Sequence, residues 1–307
     1  MTVGVRRVGP EAADAVWHVV HAAFAARPPL HPPAEALAET PATLAAALEG
    51  AGGLLAEIDG EPVGALVLDA DPSGEVVFLR RFGVLPSHQH HGIAQVLVSA
   101  ACDACPDATE LRILARQEFP GTIGFWLNAG FVEVGQQVPY LEMRRPLVTS
   151  YDVADAVAMR DLGVELAANL RHGDLVVLSG ELGAGKTTLT QGIGTGLGVR
   201  GEVTSPTFVI ARVHPSLAEG PSLVHVDAYR LGGLAELDDL DLDTSLDDAV
   251  TVVEWGEGLA ETLSDSHLDV RIERVQGLLT GLGDDGLDPR IVRVRPRGPR
   301  WTRGTSQ

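Results

Sequence analysis

Gly180-Glu181-Leu182-Gly183-Ala184-Gly185-Lys186-Thr187 fits the phosphate-binding pattern GxxxxGK[ST] at every fixed position. Residues 174–179 ahead of it form a short apolar run, which predicts a buried strand. Residues 186–197 behind it predict a helix, although Gly192, Gly194 and Gly196 each weaken it by roughly 1 kcal/mol relative to Ala. In that order, Gly183 and Gly185 let the backbone curl so that N–H groups converge on an anion, and the helix adds its positive end. Lys186 would then reach the β- and γ-phosphates of a nucleotide, and the Thr187 hydroxyl would ligate Mg2+.

Composition bounds the rest. At 307 residues, 45% hydrophobic and 21% charged, the chain predicts two globular domains. No apolar run approaches the ~18 residues that span a bilayer, and the start of the chain shows no signal-peptide pattern, so a cytoplasmic protein is expected. Cys102 and Cys105 form a lone CxxC without further ligands, which reads as two inert thiols. A net charge of −19 argues against a protein that grips nucleic acid by itself. Arg290, Arg293, Arg295, Arg297, Arg300 and Arg303 dissent, as either a solvated edge strand and tail or a docking surface for RNA or an acidic partner.

In the first half the patterns predict a strand over 3–8, helices over 10–26 and 40–49, and a hairpin of 54–58 and 63–68 around Asp59-Gly60. Further on they predict a strand at 75–84, a helix at 93–104, a strand at 111–115, a helix at 122–129, and strands at 131–134 and 140–144. That is an α+β fold with a mixed, mostly antiparallel sheet. Its informative part runs from Val84 into Gln89-His90-His91-Gly92-Ile93-Ala94, where a strand ends and a turn of spacing [QR]xxGx[GA] opens a helix. Such a turn aims N–H groups at a pyrophosphate, with Gly92 and Ala94 small enough for close approach. His88, His90 and His91 read as a solvated turn, since adjacent histidines point apart.

With Phe125-Trp126-Leu127-Asn128-Ala129-Gly130-Phe131 downstream, residues 1–147 resemble the GNAT acetyltransferase family. The resemblance implies acetyl-CoA, its pyrophosphate held around Gln89, His90, His91, Gly92, Ile93 and Ala94 beside Val84. It also places Trp126 where the family often has a tyrosine acid, and leaves Glu75 and His88 as candidate bases. A CoA-binding module without transferase activity is the alternative for this half.

After a linker at 148–150 and a helix at 152–170, residues 148–307 carry three more signals. Val203-Thr204-Ser205-Pro206-Thr207-Phe208 offers hydroxyls that could sense a γ-phosphate. Residues 223–227 lead an apolar strand to Asp227, and 250–254 another to Glu254, where strands of an α/β sheet meet ligand. With the phosphate loop, HVDAYR and VVEWGE, these motifs resemble TsaE, the ATPase of tRNA threonylcarbamoyladenosine biosynthesis. That resemblance implies an α/β P-loop fold with Glu181, Leu182, Gly183, Ala184, Gly185, Lys186, Thr187 and Thr188 around ATP and Trp255 shaping the pocket. It implies Thr187 and Glu254 on Mg2+, Asp227 as the acid of the second nucleotide motif, and Thr204 to Thr207 as a switch-like loop. It also implies TsaB- and TsaD-type partners, with tRNA met only through them. The acidic Glu236, Asp238, Asp239, Asp241, Asp243, Asp247 and Asp248 fit either a partner-facing surface or a solvated segment. The rival for this half is a small-molecule kinase, which would need an acceptor pocket and an Arg-bearing lid.

Overall fold

The computed structural model describes residues 3–206, 211–230, 247–258, 263–275 and 289–302. Backbone contacts divide the chain at Leu147 and Val148, and the second unit runs to Trp301.

The first unit holds β1 (Gly4–Val8), α1 (Ala13–Ala25), α2 (Pro41–Leu48), β2 (Gly53–Ile58), β3 (Glu61–Ala70) and β4 (Val76–Val84). It continues with α3 (Ile93–Ala104), β5 (Glu110–Arg116), α4 (Pro120–Asn128), β6 (Val132–Gln137) and β7 (Tyr140–Pro146). The strands form one sheet in the order β1-β2-β3-β4-β5-β7-β6, parallel only between β4 and β5. Asp59 and Gly60 both take positive φ, the two-residue turn whose twist matches a hairpin. Alternation along β2 sends Leu54 and Ala56 into a core with α3 and α4, and Leu55 into a core with α1 and α2. The sheet is therefore covered on both faces.

The second unit holds β8 (Thr149–Val153), α5 (Ala156–Ala167), β9 (Leu175–Gly180), α6 (Lys186–Gly196), β10 (Ala211–His214) and β11 (Ser222–Asp227). β12 (Ala249–Glu254), β13 (His267–Arg274) and β14 (Arg290–Arg297) complete its sheet, ordered β10-β11-β12-β9-β13-β14-β8. The four central strands, β11, β12, β9 and β13, are parallel, so their C-terminal ends share one edge of the sheet.

Three expectations change here. Residues 149–150 belong to β8, which pairs with β14, so they are no linker. The helix expected from Asp152 starts at Ala156, because Asp155 caps it by accepting the N–H groups of Val157 and Ala158 at 2.8 and 2.9 Å. The arginine-rich segment is neither edge strand nor free docking face. β14 lies inside the sheet, with Arg293 paired to Glu273, Arg297 to Asp269 and Arg300 to Asp174.

The glycines of α6 also find their reason. A Cβ on Gly192 would stand 2.1 Å from the Arg160 carbonyl oxygen, and one on Gly196 2.5 Å from the Ala167 Cβ. Gly163 of α5 faces the Leu189 carbonyl just as closely. The helix gives up propensity so that α5 and α6 can pack backbone to backbone.

Candidate functional sites

In the second unit the site forms where β9 turns into α6. Gly180, Gly183 and Gly185 take φ of 141°, 74° and 112°, a left-handed path that favours glycine. At Gly180 a side chain is excluded outright, since its Cβ would meet the Ile272 carbonyl oxygen at 2.4 Å. The first turn of α6 leaves the N–H groups of Lys186, Thr187 and Thr188 without intrahelical carbonyls. Arginines brace the loop by its carbonyls: Arg274 donates to Gly183 at 3.1 Å and Arg290 to Ala184 at 3.1 Å. Leu182 and Glu181 face solvent.

Lys186 is 5% exposed and bends back along the loop. Its Nζ donates to the Gly180 and Glu181 carbonyls at 2.7 and 3.0 Å and lies 3.6 Å from the centre of the Trp255 ring. Burial lowers its pKa from the ordinary lysine value, against the opposing pull of Glu254 and Asp227. Trp255 takes φ 60° and packs on Tyr229 with ring centres 5.0 Å apart. Parallel register sets Asp227 beside Glu254, and Glu254 beside Leu178.

Glu254, 3% exposed, is held from two sides. The Thr187 hydroxyl donates to its Oε2 at 3.1 Å, and His225 Nε2 donates to its Oε1 at 2.8 Å. Asp227 accepts the Tyr229 N–H at 3.1 Å. The oxygens of Thr187, Glu254 and Asp227 are the hard donors that Mg2+ takes, and His225 occupies the Glu254 oxygen turned away from Thr187.

The first unit has a cleft of about 1190 Å³. β4 and β5 pair only over Val76–Phe78 and Glu110–Arg112, and beyond that the cleft is lined by both strands. Gly92 caps α3 with φ 78° and His90 takes φ 65°, and Ile93 and Ala94, whose N–H groups have no intrahelical carbonyl, line the cleft. Gln89 holds the turn through its amide on the Val84 carbonyl at 3.4 Å. His91 bonds the Gln89 carbonyl at 2.8 Å. Among the described residues no cluster of three metal-ligating side chains occurs.

The family model described as Threonylcarbamoyl adenosine biosynthesis protein TsaE matches residues 153–278, and that of the Acetyltransferase (GNAT) family matches residues 17–131. The tRNA threonylcarbamoyladenosine biosynthesis protein TsaE of Streptomyces coelicolor is 72% identical over 120 residues, 39% of this chain and 81% of that protein. The chain belongs to the TsaE family. The TsaE protein of Mycobacterium tuberculosis strain H37Rv is 60% identical over 121 residues, 37% of this chain and 72% of that one. Among solved structures, Bacillus subtilis YdiB is 29% identical with a TM-score of 0.38, covering 50% of this chain and 88% of that one. The PaiA N-acetyltransferase of Thermoplasma acidophilum, solved with coenzyme A, is 16% identical with a TM-score of 0.42, covering 48% and 99%.

In the TsaE half the structure brings Lys186, Thr187, Glu254 and Trp255 together and puts Asp227 on the neighbouring strand end. The Thr204 hydroxyl accepts from Arg212 at 2.8 Å, and the carbonyl of Val203 before it accepts from the Gln191 amide at 3.1 Å. Thr207, Phe208, Arg303, Glu236, Asp238, Asp239, Asp241 and Asp243 lie outside the described residues. Sequence reasoning gave His225 and Arg274 no role at the site, and read Arg290 as part of the cationic segment and not as a brace of the loop. His225 carried a signal, since it lies two residues before Asp227 and so on the same strand face.

In the GNAT half Trp126 is a core ring, 5% exposed, with Phe82, Phe125 and Phe131 each 5.0 Å away edge-on. The cleft also holds a tyrosine that sequence reasoning passed over, Tyr140, whose ring lies 5.2 Å from the Arg116 guanidinium carbon. Glu75 fails as a base. It is exposed and precedes β4, about 30 Å of strand from Val84. Cys102 and Cys105 are buried and unbridged.

Proposed function

We propose that the TsaE half binds and hydrolyses ATP with Mg2+, and that the GNAT half binds acetyl-CoA and transfers its acetyl group to an amine. Membership in the TsaE family gives the chain a role in tRNA threonylcarbamoyladenosine biosynthesis. TsaB- and TsaD-type proteins are its proposed partners there, with tRNA reached through them. No helix among the described residues is long and apolar enough to cross a membrane.

The observation that carries the first reading is Glu254 shared between Thr187 and His225 beside a buried lysine. Lys186 is desolvated and, among the described residues, bonded only to carbonyls, so a phosphate arriving at the loop would give it an anionic partner. The N–H groups at the start of α6 would hold the same phosphates. Thr187 and Glu254 would hold Mg2+, which when bound neutralises phosphate charge, with Asp227 beside them. Trp255 covers Lys186 and keeps it from water.

For the second reading the turn from Gln89 to Ala94 supplies the pyrophosphate cradle, and the gap between β4 and β5 gives an extended ligand its slot. Calorimetric titration of the whole chain with ATP–Mg2+ and then acetyl-CoA tests both. Two independent sites are expected, the first lost in Lys186→Ala and Glu254→Ala while the second persists. A single site would remove one reading, and loss of CoA binding in Lys186→Ala would remove the division between them.

A further inference from the structure

We propose that the amine acetylated by the GNAT half carries a carboxylate, and that Arg27 holds it. This rests on the acetyl-transfer reading above. Four arginines line the cleft: Arg27, Arg80, Arg81 and Arg116. Three are already matched. Arg80 pairs with Asp69 at 3.1 Å, and Arg81 with Glu39 at 2.6 Å and Glu35 at 3.4 Å. Arg116 pairs with Glu118 at 2.8 Å and also donates to the carbonyls of His31 and Pro32. The two lining carboxylates, Glu35 and Glu118, are spent on these pairs.

Arg27 is the exception. Among the described residues its guanidinium meets no carboxylate and no carbonyl. Its central carbon sits 3.9 Å from the centre of the Phe24 ring and 5.8 Å from that of Phe119. Burial pulls its pKa below the ordinary arginine value. A guanidinium carried over an aromatic face can still turn its N–H edge to fork onto a carboxylate.

Position separates this cation from the cofactor cradle. Arg27 follows α1, whose core lies on one face of the sheet, whereas α3 packs on the other. The cleft reaches both, through the gap between β4 and β5. An amine entering past Arg27 would meet the thioester of acetyl-CoA from the face opposite α3. Its nitrogen attacks the thioester carbonyl, the C–N bond forms and the C–S bond breaks. The sulfur leaves as the thiol of coenzyme A with the proton the amine gives up.

The test follows coenzyme A release by the whole chain with the standard L-amino acids and 4-aminobutyrate, each beside its carboxamide. At least one acid should be acetylated with kcat/KM at least about tenfold above its carboxamide. Arg27→Gln should raise the KM of that acid about tenfold, leaving the carboxamide rate and the acetyl-CoA Kd unchanged, and Arg27→Lys should recover part of the loss. Carboxamides equal to acids, or carboxamides turned over and no acid, would overturn the proposal alone, whereas no amine turned over at all while acetyl-CoA binds would remove the acetyl-transfer reading with it. Weaker acetyl-CoA binding in Arg27→Gln would overturn it too, by assigning Arg27 to a cofactor phosphate. Failure of acetyl-CoA to bind would instead sink the acetyl-transfer reading beneath it.

Discussion

His225 Nε2 lies 2.8 Å from Glu254 Oε1, inside the sheet and out of reach of solvent, with both side chains almost fully buried. The pairing follows from register. His225 stands beside Val252 on the adjacent strand, so its side chain rises on the same face as Glu254 two residues on. Glu254 thus presents its other oxygen, Oε2, to Thr187 in one orientation.

Replacing His225 should therefore act through the cation rather than the nucleotide. His225→Ala is expected to weaken apparent Mg2+ affinity in the presence of ATP by about 10- to 100-fold. ATP binding measured without Mg2+ should change little. Equal losses in the two titrations would show that His225 serves only the fold.

Lys186 gives a pH dependence. Its pKa in the folded chain is lowered from 10.5 by burial, so the unfolded chain binds that proton more tightly. Its contribution to stability is full above 10.5 and is lost as pH falls through the lowered value. Lys186→Met should accordingly be more stable than the native chain near neutrality, with the gap closing as pH approaches 10.5. Urea midpoints at the two pH values check this, and a constant gap would refute it.

Gly192→Ala should destabilise, against the usual gain of about 1 kcal/mol for Ala over Gly in a helix. The added methyl meets the Arg160 carbonyl oxygen, and separating two packed helices costs about 1–3 kcal/mol. Gly124→Ala in α4, where a Cβ meets nothing within 4 Å, should instead gain up to about 1 kcal/mol. Melting both variants beside the native chain separates packing from propensity.

Arg300→Met should cost about 2–3 kcal/mol. Its guanidinium forks onto Asp174 at 3.1 and 3.2 Å, and Asp174 is only 4% exposed just ahead of β9. The double variant with Asp174→Asn should recover part of that loss, since the uncompensated charge goes with it. No recovery in chemical denaturation would mean that the ion pair contributes little.

The phosphate loop and the turn before α3 were legible because both need glycine at positive φ at fixed spacing, and a sequence shows glycine plainly. So was the hairpin at Asp59-Gly60. The start of the second unit was misread because Thr149–Val153 is short and mostly exposed, and such a strand leaves no hydrophobic period. Asp155 held the clue, as a cap residue marks where a helix can begin. The arginine segment looked like a free cationic patch because its partners, Glu273, Asp269 and Asp174, are brought to it only by strand pairing and the closing turn. The reach of Arg290 to Ala184, over a hundred residues away in sequence, has no local signature.

The antiparallel pairing of β8 with β14 has a practical consequence for dissecting the protein. A TsaE half trimmed to begin at Asp155, where the helical pattern invites a cut, would strip β14 of a partner along Arg290–Val294. Its backbone donors and acceptors would then stand open as a template for the same strand of another copy. Such a fragment would be expected to self-associate, whereas one beginning at Val148 would keep β14 paired and end the sheet on the short β8 instead.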